Sequence, residues 1–215
     1  MPLLFTKNIS SAVLGVWKMQ ESESELLAML PHADFYLREL SHRRLASCRR
    51  QEYLSVRILL HQLLADASVI AYHPSGKPFL ADSTAHISIS HTKGYVAVII
   101  DSIHEVGIDI EQRTSRVLRV KSRFLNSAEL SSVDEQNEIS YCLICWSAKE
   151  TLYKVMPEQS PDFVAHLHLY PFAVDESGSV TSYETYSKNQ RIYKIDYLQH
   201  SDFVLTYVID SDRHD

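Results

Sequence analysis

The sequence of 215 residues has few of the features that anchor, staple or export a protein. It contains three cysteines, Cys48, Cys142 and Cys145. Three thiols cannot build a disulfide framework, and an odd count suits a reducing compartment. No apolar run approaches the roughly 18 residues that a membrane span needs. Ile9 to Trp17 is apolar but short, and the polar Gln20-Glu21-Ser22-Glu23 run follows it without a small-residue cleavage pattern. A cytoplasmic, soluble protein is therefore expected. The net charge of −6 argues against a general nucleic-acid binder. HExxH, G-x-S-x-G, Walker and dinucleotide-binding signatures are all missing. Cys142-x-x-Cys145 has no second thiol pair to complete a zinc site, and no strand leads directly into it as in a redox motif. These two thiols read as packing residues.

What the chain does have is an ordinary globular composition, 45% hydrophobic and 22% charged, long enough for one large domain or two small ones. Its central stretch is Val106-Gly107-Ile108-Asp109-Ile110-Glu111. As a strand it alternates, with Ile108 and Ile110 on one face and Gly107, Asp109 and Glu111 on the other. Neighbouring carboxylates on one face repel, so such a strand either faces water or holds a cation. Gly107 leaves room for something bulky to lie against that face.

The other elements follow from periodicity. Ala12 to Met19 reads as an opening strand, Glu23 to Leu30 as a short helix stopped by Pro31, and Asp34 as the cap of a helix with Leu37 and Leu40 on its apolar stripe. Arg49 to Ala67 is helical, through Tyr53, Val56, Leu60 and Leu63/Leu64. Val69 to Tyr72 is a short strand, and His73 to Phe79 a loop presenting Lys77 between Gly76 and Pro78. His86 to His91 and Tyr95 to Ile100 are strands that, with the acidic stretch, suggest a three-stranded meander.

Gln112 to Leu125 carries five cations in eleven residues (Arg113, Arg116, Arg119, Lys121, Arg123), with Val117, Val120 and Phe124 as a helical stripe. Asn126 to Glu129 has capping-box spacing. Glu138 to Met156 is the longest predicted helix, with Ile144, Ala148, Leu152 and Val155 toward the core and Trp146, Glu150 and Lys154 on a separate stripe. Strands around Ala165–Tyr170, Val180–Tyr186, Arg191–Tyr197 and Phe203–Ile209 complete a mostly antiparallel sheet. The element order of the first half rhymes with that of the second.

Three acids, Asp109, Glu111 and Glu150, stand with Lys77, His91, Lys149, Lys154 and Arg57 as cations. Carboxylates without a thiolate are hard ligands that suit Mg²⁺ or Mn²⁺. A Mg²⁺ ion held by few carboxylates completes its shell with water and substrate phosphate, and the surrounding Lys and Arg fit a polyanion. Phosphate-ester chemistry on a diphosphate is the reading the residues reach unaided.

Gly76-Lys77-Pro78, Ile89-Ser90-His91, Val106 to Glu111 and Trp146-x-x-Lys149-Glu150-x-x-x-Lys154 resemble, in order and spacing, the motifs of the Sfp-type 4′-phosphopantetheinyl transferases. Arg123-Phe124-x-x-x-x-Glu129 adds to the likeness, which covers roughly residues 49–156. The resemblance implies transfer of the phosphopantetheine arm of coenzyme A to a serine of an apo carrier protein, releasing 3′,5′-ADP. It implies Mg²⁺ on Asp109, Glu111 and Glu150, and Lys154 at the pyrophosphate. Lys77, Ser90, His91, Arg57, Arg44 and Lys149 would hold the rest of coenzyme A. Either Glu150 or a water on the metal would take the serine proton. The implied fold is α+β, a pseudo-dimer of two similar halves, each with a mostly antiparallel sheet packed on helices. Their expected extents are 1–103 and 104–215, with the site at the interface.

An acidic carrier would dock near Arg113–Arg123, and a monomer is expected, with no nucleic-acid or membrane partner. Two departures stand out: Ser88 where the family often has Asn, and Val155-Met156-Pro157-Glu158 in place of a Gly-rich segment. The alternative reading is a metal-dependent coenzyme A or nucleotide-binding module without transferase activity. A second alternative is a purely structural α+β interaction protein whose acids are solvated edges.

Overall fold

A computed structural model describes residues 2–64, 69–82, 84–133, 135–156 and 161–211. The chain divides into two compact units, Met1–Ile103 and His104–Asp215. The fold is α+β, with an antiparallel sheet packed on helices in each unit.

The first unit opens with a hairpin of β1 (Leu3–Ile9) and β2 (Ala12–Lys18), turned at Ser10 with φ 52°. The opening strand is thus β1 and not the Ala12 segment. Thr6, Lys7 and Asn8 interrupt its apolar alternation because it lies at the sheet edge, where polar side chains reach water. Helix α1 (Glu23–Met29) starts at a complete capping box of Ser22 and Glu25. Helix α2 (Ala33–Arg43) is not capped by Asp34. His32, in the left-handed region, occupies the cap position, and Asp34 lies in the first turn, where its charge complements the helix dipole. Leu40 is buried but Leu37 is exposed, so the stripe is narrower than expected.

Helix α3 (Ser47–Leu64) lies across β2 and β6 (Tyr95–Asp101). Gly15 permits this approach: a Cβ there would meet Leu59 Cδ1 at 2.8 Å. The expected continuation of the helix to Ala67 lies outside the described residues. β3 (Ile70–Tyr72) and β4 (Pro78–Leu80) form a small hairpin turned at Gly76, φ +88°, so the loop read from residue 73 includes a strand at its far end. With β5 (His86–Thr92), the main sheet runs β1-β2-β6-β5.

The second unit begins with β7 (Glu105–Gln112), and here the expected meander fails. β7 pairs with β11 (Phe203–Asp210), not β6. Alternation specifies which side of a strand is buried and is silent about which strand lies beside it. The second sheet runs β7-β11-β10-β9-β8, with β8 at Leu167–Leu169, β9 at Ser177–Glu184 and β10 at Ile192–Gln199. The basic segment is not one α-helix. It forms two 3₁₀ turns, Ser115–Arg119 and Lys121–Arg123, closed by i→i+3 bonds such as Val120 N to Val117 O at 3.1 Å. A period of three still buries Val117 and leaves Val120 partly covered, which is why the stripe looked helical. Helix α4 (Ser127–Ser131) has the expected capping box of Asn126 and Glu129. Helix α5 (Glu138–Val155) packs on β7, β11 and β10 and buries Ile144, Ala148, Leu152 and Val155 as expected. Cys142 and Cys145 are free and buried in this core.

Candidate functional site

The acidic face of β7 is covered by α5. At Gly107 an added Cβ would come within 2.6 Å of the Thr151 carbonyl oxygen, so glycine is what lets the helix backbone lie on the strand. That close approach brings the next two positions of the same face against the helix side chains. Ser147 Oγ donates to Asp109 Oδ2 at 2.8 Å, and Lys154 Nζ donates to Asp109 Oδ1 at 2.8 Å and to Ile108 O at 2.8 Å. Trp146 Nε1 donates to Glu111 Oε1 at 2.7 Å. The Trp146/Glu150/Lys154 stripe therefore faces the strand acids, which explains a tryptophan away from the core stripe. Asp109 is only 4% exposed, so this face is no solvated edge.

Glu150 shares the electrostatic neighbourhood of the pair. Burial, then the Asp109 charge, push its carboxyl up to about 7, with Glu111 adding to the rise and Lys154 opposing it. Burial and Asp109 likewise raise Glu111, against the Trp146 hydrogen bond and Lys154. Three crowded acids with one ammonium carry more negative charge than their surroundings neutralise, and a divalent cation is the natural counter-charge. The donor set fits such an ion in kind: carboxylate oxygens only, the preference of Mg²⁺ or Mn²⁺. As arranged here, no group of three or more His, Cys, Asp or Glu among the described residues forms a ready metal cluster. Lys154 and Ser147 between them engage both oxygens of Asp109.

Three hydroxyls that the sequence reading passed over support Asp109 from behind. Ser147 Oγ lies 2.9 Å from Thr206 Oγ1, which lies 2.6 Å from Thr151 Oγ1, all fully buried. Thr206 is the β11 residue registered against Asp109. Ser147 and Thr151, one turn apart on a buried helix face, were the available signal.

Lys149 corrects an expectation. The resemblance implies a place for it at coenzyme A, yet it is 0% exposed and donates to Phe124 O (2.6 Å), Glu129 Oε2 (2.8 Å) and Phe163 O (3.1 Å). An ammonium has three donors, and all are engaged within the protein. Adjacency to Glu150 in sequence misled, because successive residues on an α-helix diverge by about 100°.

The residues expected at the nucleotide end lie in the first unit and come together only in part. Arg57 and His91 line a cavity of about 180 Å³ with Arg49, Tyr53, Ile89 and Tyr72. Arg57 lies over the Tyr53 ring, 3.2 Å from its centroid, and donates to Tyr53 O at 2.9 Å. His91 Nε2 is 3.0 Å from Arg49 Nη1. Ser90 lies on the opposite face of β5 from His91 and is buried, as is Ser88. Lys77, in the β3–β4 turn, and Arg44, exposed at the end of α2, are outside the cavity lining. In the basic segment Arg113 is bound to Gln199 and Ser140, and Lys121 to Glu138, whereas Arg116, Arg119 and Arg123 are exposed. Of the altered segment after Lys154, Val155 is buried and Met156 caps α5, while Pro157 and Glu158 lie outside the described residues.

No helix among the described residues is long and apolar enough to cross a membrane. A search of curated proteins finds no match. Residues 105–208, which contain β7, α5 and the whole acidic cluster between them, match the family model of the 4′-phosphopantetheinyl transferase superfamily, and this part of the chain is a domain of that superfamily.

Proposed function

We propose that this protein transfers the 4′-phosphopantetheine group of coenzyme A to a serine of an apo carrier protein, with Mg²⁺ held by Asp109, Glu111 and Glu150. The observation that carries this reading is the electrostatic neighbourhood that Asp109, Glu111 and Glu150 share with Lys154 inside the superfamily domain. When bound, the cation supplies Lewis acidity and charge neutralisation at the pyrophosphate. Lys154 adds a positive charge beside it, leaving Asp109 for phosphate oxygen. Arg57 and His91 take the phosphorylated adenosine end in the cavity they line, with Lys77, Ser90 and Arg44 as further contacts.

The attacking oxygen belongs to the carrier serine, which is why no activated nucleophile is needed in this chain. The new bond joins that oxygen to the phosphorus bearing the pantetheine arm. The phosphoanhydride bond breaks, and 3′,5′-ADP leaves with its electron pair. The serine proton passes to a base beside the attacking oxygen, either the Glu150 carboxylate or a water of the site. Arg116, Arg119 and Arg123 offer an acidic carrier an exposed cationic approach that steers encounter more than it tightens binding.

Intact-mass spectrometry of an apo acyl carrier protein incubated with this protein, coenzyme A and Mg²⁺ tests the reading. A shift of one phosphopantetheine group, lost with chelator, is expected. Unmodified carriers despite tight coenzyme A binding would instead identify a binding module without transferase activity.

A further inference from the structure

The Trp146 indole that holds Glu111 is itself held. Phe124 meets it edge-on, with ring centroids 5.1 Å apart, and Phe163 lies tilted against it at 5.5 Å. Neither phenylalanine belongs to α5, and they come from segments on either side of it in the chain. What they share is one partner. The main-chain oxygens of both accept from Lys149 Nζ. Lys149 is fixed in turn by Glu129, which also accepts from Leu169 N at 2.9 Å and from Asn126 N at 2.8 Å.

We infer that Lys149 is a positioning residue for Glu111: its single ammonium ties the chain at Phe124 to the chain at Phe163, and so sets the slot that aims the Trp146 N–H at the Glu111 carboxylate. An apolar side chain of the same length fills the space but cannot bind two carbonyls, so the two walls lose their common tie. A looser slot lets the indole tilt, and Glu111 regains rotamers that cation binding must then remove. This reading rests on Glu111 being a cation ligand, as proposed above. It gives Lys149 a place in the site without contact with substrate, consistent with its complete burial.

The test separates the clamp from the metal assignment. The chain has two tryptophans, Trp17 and Trp146, so the protein labelled with 5-fluorotryptophan gives two ¹⁹F lines, assigned with Trp17→Phe. The variant Lys149→Met with Glu129→Gln removes both buried charges together, which avoids stranding one of them. In the metal-free protein its Trp146 line is expected to shift and broaden while the Trp17 line stays in place. Mn²⁺ affinity, read by electron paramagnetic resonance, should fall about 10- to 100-fold. Phe163→Leu, which keeps the ion pair and thins one wall, should move the same line and weaken Mn²⁺ in the same direction. An unmoved Trp146 line in both variants, or wild-type Mn²⁺ affinity in both, overturns the inference. Should the wild-type protein bind no Mn²⁺, the metal assignment falls and the fluorine line alone decides the clamp.

Discussion

Lys154 reaches from α5 to place its ammonium 2.8 Å from Asp109 Oδ1 and 2.8 Å from the carbonyl of Ile108 on the same strand. One cation thus serves the carboxylates of Asp109, Glu111 and Glu150, and it lowers the repulsion felt by Glu111 and Glu150 without cancelling it. The cluster is set for a further positive charge at a cost to the stability of the metal-free protein.

That cost has a pH signature. The Glu150 carboxyl lies at about 7 in the folded protein, against 4.5 for the free side chain. A raised carboxyl favours the folded state when protonated, so its contribution is present below about pH 4.5 and is lost as pH rises through about 7. Glu150→Gln, which stays neutral, should therefore stabilise the metal-free protein at pH 8 by about 1–3 kcal/mol and have little effect at pH 4.5. Thermal unfolding of both proteins at the two pH values reads this directly. Equal melting shifts at both would show that burial and the Asp109 charge do not raise this carboxyl.

Gly107→Ala places a methyl group where the Thr151 carbonyl oxygen lies. Backbone cannot swing aside as a side chain does, so α5 must lift from β7. A loss of about 1–3 kcal/mol in denaturant unfolding is expected. Transfer should fall out of proportion to that loss, because the lift separates Glu150 from Asp109. A variant with wild-type stability and rate would mean that the close approach is dispensable.

Ser147→Ala removes the hydroxyl that holds Asp109 Oδ2 and breaks the buried chain to Thr206 and Thr151. The expected cost is about 1–3 kcal/mol for buried groups left short of a partner. Mg²⁺ dependence should move to higher concentration, since Asp109 is no longer fixed. Titration of turnover against Mg²⁺ checks this, and an unchanged midpoint would confine Ser147 to packing.

Arg116→Glu combined with Arg119→Glu should raise the carrier KM at low salt and leave coenzyme A binding alone. The difference should shrink as salt screens the charges, within a Debye length of about 8 Å at physiological ionic strength. A salt profile identical to that of the wild type would return these arginines to simple solvation.

Much of this was legible in the sequence. The alternation from Val106 to Glu111 put Gly107, Asp109 and Glu111 on one face, and that face is the one against α5. The spacing of Trp146, Glu150 and Lys154 placed them off the core stripe, and the capping box at Asn126 and Glu129 is present. What periodicity does not encode is the partner of an element. β7 reads as part of a meander with β6 but pairs with β11, because sheet membership depends on contacts nearly a hundred residues away. Lys149 was misplaced for a related reason: a lysine in a motif looks like a ligand contact until three internal acceptors, from Phe124, Glu129 and Phe163, are seen around it. Ser147, Thr151 and Thr206 were missed because hydroxyls within apolar runs look like ordinary core residues.

Electron paramagnetic resonance of Mn²⁺ titrated into the protein at pH 8 bears most directly on whether Asp109, Glu111 and Glu150 act on one cation. One bound ion per chain is expected, lost on Asp109→Ala and on Glu150→Gln while the fold persists. Undiminished binding by both variants would contradict the shared site and, with it, the transferase reading built on that site.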